Sequence, residues 1–96
     1  MIQINKWISN CLEEKRRFAL PIMTHPGIEL CDKTVKDAVT DGTVQAQAII
    51  QLNKVFPSDG VTTIMDLTVE AEAFGAEIIF PENEVPSVTG RLVRDA

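Results

Sequence analysis

Hydrophobic and polar positions follow a period along this chain that changes several times. Over residues 3–16, Ile4, Trp7, Ile8, Cys11 and Leu12 recur at helical spacing and make one apolar stripe. The pattern predicts a first helix with a charged exit from Glu13 to Arg16. Phe18–Met23 is a short apolar run holding Pro21, predicted as a strand with the proline at a sheet edge or strand end. Pro26 and Gly27 signal a turn. Thr34 and Asp37 have the spacing of a capping box, with Asp in place of the usual Glu, which predicts a short helix over 35–40. Asp41-Gly42 breaks it, and Asp41 is placed to cap the next element. Residues 43–56 carry the clearest helical stripe: Val44, Ala48, Leu52, Val55 and Phe56, widened by Ile49, with Gln45, Gln47, Gln51 and Lys54 off it. Pro57 stops that helix. Val61–Met65 reads as a strand, 68–74 as a short helix with Gly75 as its C-cap, and Glu77–Phe80 as another short strand. Residues 81–90 read as loop, and 90–96 carry a partial helical pattern that is never developed.

Helices alternating with strands predict an α/β protein with a parallel sheet. Such a sheet must be covered on both faces, and two or three short strands with one long helix cannot do that. The 96 residues, enough for one small domain, therefore read as a single partial domain, the opening of a larger α/β fold.

Composition narrows the partners. The net charge is −5 and the pI about 4.7, which disfavours a polyanion partner. Aromatics are four Phe, one Trp and no Tyr, too few for a base-stacking platform, so no nucleic-acid partner is expected. Acid is unevenly placed: residues 66–84 hold Asp66, Glu70, Glu72, Glu77, Glu82 and Glu84 with no Lys or Arg. Residues 1–17 hold Lys6, Lys15, Arg16 and Arg17 against Glu13 and Glu14. Such runs are commonly solvated faces. Cys11 and Cys31 are not in a CxxC pair, and with no signal peptide they read as reduced thiols of a cytoplasmic protein. No stretch approaches the roughly 18 apolar residues that span a bilayer, so no membrane association is expected.

Asp66 follows the run VTTIM. In parallel α/β folds, ligand groups collect at the carboxyl ends of strands, where an Asp accepts hydrogen bonds from substrate N–H groups or stabilises a cation. The plainer reading is a cap for the helix that follows. Glu70 and Glu72 offer carboxylates, but i and i+2 on a helix face different ways, so at most one joins Asp66. His25, the only histidine, lies after the first predicted strand, where an imidazole can act as a general base or simply hydrogen-bond within a loop. His25, Cys31 and Cys11 match no compact zinc module. Walker A, GxGxxG, HExxH and GxSxG motifs are absent from the sequence.

The stretch DGVTTIMDLTVEAEAFGAEIIFPENEVPSV resembles the N-terminal part of the uroporphyrinogen decarboxylase superfamily. Within it the likeness is to the branch of methylcobamide:coenzyme M methyltransferases and related corrinoid methyltransferases. Asp66, Thr68, Glu70, Ala71, Glu72, Gly75 and Ala76 carry the match, and FALPIMTHPGIEL sits where the family has its first barrel strand and active-site loop. The likeness runs over roughly residues 15–90. It implies a (β/α)8 barrel, which needs about 250 residues. This chain would then be an N-terminal TIM-barrel fragment: a helix plus two or three parallel strands with connecting helices.

The resemblance also implies chemistry. The intact enzyme would transfer a methyl group from a corrinoid to a thiol, or else decarboxylate a tetrapyrrole (uroporphyrinogen III) in porphyrin biosynthesis. The position resembling Asp66 binds pyrrole N–H groups in the decarboxylases, which makes Asp66 the candidate catalytic residue, with Thr24, His25 and Glu70 as candidate substrate contacts. The decarboxylases carry arginines after the first strand. Here that loop reads MTHPGIE and has none, which points away from uroporphyrinogen. Zinc and a corrinoid belong to the full-length methyltransferases, with the zinc ligands in the later barrel. No cofactor is therefore expected in this chain, which by itself would not turn over. The implied partner is a tetrapyrrole or a corrinoid protein. A standalone binding or assembly module, pairing through Val44, Leu52, Val55 and Phe56, is the alternative. Open strand edges and apolar faces predict a homo-oligomer in either case.

Overall fold

A computed structural model describes residues 2–95. The described residues form five helices and one two-stranded sheet: α1 (Ile4–Glu13), α2 (His25–Leu30), α3 (Val35–Thr40), α4 (Gly42–Val55), α5 (Val69–Ala73), β1 (Glu77–Ile79) and β2 (Ser87–Thr89). The core is small and helical. Ile28 of α2, Val35 and Ala38 of α3, and Ala48 and Leu52 of α4 are buried, with Cys31, Val39, Val44 and Ile64 packed against the cluster.

The α2–α4 contact holds this core together. A Cβ at Gly27 would lie 2.3 Å from the Ala48 carbonyl oxygen and 3.0 Å from Leu52 Cβ. The absence of a side chain at 27 thus sets how closely the helices approach. The segment expected to be a Pro-Gly turn is therefore a helix. Pro26 sits in its first turn, where a missing N–H costs nothing and the fixed φ suits helix entry. The helix ends with Asp32 in the left-handed region (φ 51°). There the Lys33 N–H donates to Ile28 O and the Asp32 N–H to Glu29 O, the two bonds of a Schellman motif.

The caps expected at α3 and α4 are present. Thr34 Oγ1 accepts from the Asp37 N–H at 3.1 Å, and Asp37 Oδ2 accepts from the Thr34 N–H at 3.0 Å. These bonds hold the Asp37 carboxyl below its ordinary value. Asp41 Oδ1 accepts from the Thr43 N–H at 2.8 Å and starts α4. Along α4 the stripe buries only its middle. Ala48 and Leu52 are inside, whereas Val55 and Phe56 are more than half exposed.

Two expectations are overturned. Phe18–Met23 and Val61–Met65 form no strand ladder, and the one sheet is antiparallel, with Glu77 opposite Thr89, Ile78 opposite Val88 and Ile79 opposite Ser87. Part of the stretch read as loop supplies β2, because Ser-Val-Thr is a β-prone triplet that meets Glu77–Ile79 across the turn. The two apolar runs are nonetheless neighbours. Ala19 exchanges main-chain and side-chain bonds with Asp59 (Ala19 N–H to Asp59 Oδ2, 2.8 Å; Asp59 N–H to Ala19 O, 3.1 Å). Further on, Met23 and Thr24 share a hollow with Thr63, Ile64 and Met65. The two segments therefore run side by side in the same direction. Pro21 has no N–H to give a ladder, and the Ile64 N–H donates to the Gln45 side chain at 3.4 Å instead. Two lone parallel strands are in any case marginal. No helix forms over residues 91–95, and Ala96 of the partial helical pattern lies outside the described residues.

Arg16 ties α1 to this body. Its guanidinium reaches Glu14 Oε2 at 2.6 Å and Asp59 Oδ1 at 2.7 Å, and lies 3.9 Å from the Phe18 ring centroid. The Arg16 hydrogen bond, with the Ala19 N–H, holds the Asp59 carboxyl below its ordinary value. α1 itself buries no residue. The radius of gyration, 17.1 Å, exceeds the roughly 12.5 Å of a compact domain of this length.

Gly27→Ala is expected to lower stability by about 1–3 kcal/mol, the ordinary cost of overpacking. Gly42→Ala, where an added Cβ meets nothing within 4 Å, should raise it by about 0.4–1 kcal/mol. Urea unfolding followed by helical circular dichroism checks both signs. Because Asp37 and Asp59 have depressed folded values, their stabilisation is present above the ordinary carboxyl value of 3.8 and is lost as pH falls through the folded values. Melting temperature measured over an acid series should fall below about pH 4, and less steeply in Asp59→Asn.

Candidate functional site

Residues 61–66 form neither helix nor strand ladder, Leu67 and Thr68 turn the chain into α5, and exposure alternates from residue to residue along the stretch. Thr62, Ile64, Asp66 and Thr68 are half-buried or buried, while Val61, Thr63, Met65 and Leu67 are exposed. Period-two geometry thus carries Asp66 to the same side as Ile64, which packs on the helical core. Asp66 Oδ1 accepts from the Thr68 N–H at 2.9 Å and from Thr68 Oγ1–H at 2.7 Å, an Asx turn that leads into α5. Thr68, 6% exposed, is the N-cap residue and makes no side-chain cap bond of its own. Asp66 is therefore not the cap residue expected of it; it holds the turn before the helix, and does so through one carboxylate oxygen. Oδ2 has no protein hydrogen bond among the described residues.

Asp66 lines a hollow of about 520 Å3, within the range of small-molecule sites. Ile22, Val39, Ile64, Met65 and Val69 supply apolar walls, and Gln45, Thr62, Asp66 and Glu70 the polar groups. No Lys or Arg lines it. Glu70 joins Asp66 here and Glu72 does not, as their i, i+2 spacing requires. Thr24 and His25 line a second hollow of about 140 Å3. The two hollows share Ile22, Thr63, Ile64 and Met65 as walls. The structure therefore gathers all four candidate residues where two neighbouring segments end, Asp66 and Glu70 after one, Thr24 and His25 after the other. His25 is the first residue of α2 rather than a turn residue. Thr24 is 4% exposed, and its carbonyl accepts from the Gly27 and Ile28 N–H groups.

Two residues of the hollow escaped the sequence reading. Thr62 Oγ1 is buried with no hydrogen-bond partner among the described residues. The alternation Thr62, Ile64, Asp66 was the available signal for it. Gln45 was placed off the α4 stripe, yet it is half-buried. Its Nε2 donates to Ala38 O at 3.2 Å while its Oε1 takes the Ile64 N–H, so it links α3 to the Asp66 segment. No periodicity in α4 announces that role. Among the described residues, no group of three His, Cys, Asp or Glu side chains is placed to hold a metal, and Cys11 and Cys31 are free thiols.

Residues 17–96 match the sequence profile of the family described as Uroporphyrinogen decarboxylase (URO-D). The chain belongs to the uroporphyrinogen decarboxylase family. No curated protein and no solved structure matches it. No helix among the described residues is long and apolar enough to cross a membrane.

Asp66→Ala removes the acceptor of the Asx turn and is expected to cost about 1 kcal/mol, whereas Asp66→Asn keeps a side-chain oxygen and should cost only a few tenths. Equal losses in chemical denaturation would mean that charge, not the turn, is what Asp66 contributes to folding.

Proposed function

We propose that the chain is the N-terminal portion of a URO-D-family (β/α)8 barrel, and that the Asp66 hollow is one corner of its substrate site. In the intact enzyme the reaction would be methyl transfer from a corrinoid to a thiol. The observation that carries this reading over tetrapyrrole decarboxylation is the charge of the hollow: two carboxylates, apolar walls and no lysine or arginine. The start of α2, from Thr24 to Glu29, has no arginine either. The carboxylate arms of a polycarboxylate substrate brought beside Asp66 and Glu70 would find no cation in the hollow to pair with.

The residues have distinct parts in this proposal. Asp66 Oδ2, free of the Asx turn, accepts from a substrate N–H or balances a cationic centre. Thr62 Oγ1, buried and unpartnered, donates to a ligand oxygen. Glu70 adds negative charge at the rim. Thr24 and His25, reached through the adjoining smaller hollow, contact another part of the substrate, where His25 can exchange a proton. Gln45 is a positioning residue. Zinc, which the methyltransferase branch uses to bind its thiol, finds no ligand group among the described residues. A corrinoid, when bound in such enzymes, supplies the methyl group. Here the chain would contribute a wall of apolar surface and the Asp66 acceptor, and it would not turn over alone.

Titration of the purified chain with a cobalamin and with a porphyrinogen, followed by absorbance and calorimetry, tests this. Cobalamin binding that weakens roughly tenfold or more in Asp66→Asn, a change of about 1.4 kcal/mol, with the fold intact, supports the corrinoid reading. Porphyrinogen binding with the same sensitivity favours decarboxylation instead. Binding of either that is indifferent to Asp66 would remove it from the site.

A further inference from the structure

The two apolar runs stay in step although no ladder joins them. Ala19 is hydrogen-bonded to Asp59, forty residues further on. Leu20 stands against Gly60, where an added Cβ would lie 2.4 Å from Leu20 Cδ2. Further along, Met23, Thr24 and His25 share a hollow with Thr63, Ile64 and Met65. The separation set at Ala19 and Asp59 is thus kept as far as the candidate site.

In a sheet, the ladder and the buried face fix register, and here the ladder is missing. Ile64 packs on the core, but that contact selects only which side of its segment faces inward. A slip of one residue would turn Ile64 outward. A slip of two would seat Thr62, another β-branched residue, in its place. Asp66 and Glu70 would then shift by two residues while Thr24 and His25, held at the start of α2, stayed behind. The bond from the Ile64 N–H to Gln45 is long, 3.4 Å, and resists such a slip weakly.

Stronger bonds lie at the opposite ends of the two runs. Asp59 Oδ2 accepts from the Ala19 N–H at 2.8 Å, and the Asp59 N–H donates to Ala19 O at 3.1 Å. Among the described residues these are the only hydrogen bonds between the two runs. Asp59 Oδ1 meets the Arg16 guanidinium at 2.7 Å, with the Asp59 side chain only 21% exposed. Charge-assisted bonds of this kind are the strong ones. The neighbouring Ser58 donates its N–H to Asn53 Oδ1 at 3.0 Å and its hydroxyl to Gly60 O at 2.7 Å, which anchors the clasp to the end of α4.

We infer that Asp59 is a positioning residue of the Asp66 site. Clasped to Ala19 and Arg16, it sets the register that brings Thr24 and His25 beside the run leading to Asp66. It lines neither hollow and acts from the opposite ends of the runs. The inference rests on reading the Asp66 hollow as the site, but its test uses no ligand, so the two can fail separately.

Nuclear Overhauser contacts in the isotope-labelled full chain test it. Thr24–Ile64 contacts report the register at the site, and Gly27–Leu52 contacts report the α2–α4 core. Asp59→Ala is expected to lose the Thr24–Ile64 contacts and keep those of Gly27 with Leu52. Asp59→Asn retains an oxygen for the Ala19 N–H and should restore them. Arg16→Ala leaves both Ala19–Asp59 bonds in place and should weaken the Thr24–Ile64 contacts without touching the core. Thr24–Ile64 contacts at full strength in Asp59→Ala overturn the inference. Loss of the core contacts as well in Asp59→Ala, with Arg16→Ala unchanged from the unsubstituted chain, also overturns it, because Asp59 then serves the fold as a whole.

Discussion

The core depends on how closely α2 approaches α4 at Gly27, where any side chain would run into the Ala48 carbonyl. Because the two helices touch, Ile28 and Leu52 are buried, α3 folds back to add Val35 and Ala38, and Ile64 finds a surface to pack on. Ile64 in turn fixes the parity of the segment 61–68, and that parity puts Asp66 into the hollow and leaves Met65 on its rim. A glycine in a helix is normally a loss. Here it permits α2 to pack closely on α4.

That core is small for the surface it must organise. Five apolar residues are buried, none of the large side chains completely, while Ile2, Leu12, Leu67, Phe74 and Val93 are each at least three-quarters exposed. A domain with its own full core does not look like this. On the barrel reading proposed above, side chains of neighbouring strands would fill the interior and helices would cover the outside. Phe18–Met23 and Val61–Met65 lie side by side and point the same way without forming a ladder.

Asp66 gives one oxygen to the turn into α5, and its other oxygen has no protein hydrogen bond among the described residues. A carboxylate has lone pairs enough to serve a turn and a further donor at once. In the reading proposed above, substrate choice rests on the absence of basic residues around Asp66 and Glu70, because a carboxylate pair without a cation disfavours further anionic groups beside it.

Local signals were legible in the sequence by itself. The capping box of Thr34 and Asp37, the Asp41 cap, the body of α4, the short helix before Gly75 and the strand at Glu77–Ile79 depend on neighbours within a few residues, and the structure has each of them. The family, too, was legible in the residues from Asp66 to Ala76. Tertiary structure decided the rest. Pro26-Gly27 opens a helix rather than a turn because α4 lies against Gly27. The two apolar runs lie side by side without a ladder, because Pro21 has no N–H to give and Ile64 donates its own to the Gln45 side chain. Ser87–Thr89 becomes a strand only because Glu77–Ile79 offers it an edge. Gln45 and Thr62 join Asp66 through contacts that no periodicity records. Short-range hydrogen bonds are written in adjacent residues, whereas pairing, parity and the walls of a cleft depend on which distant surfaces meet.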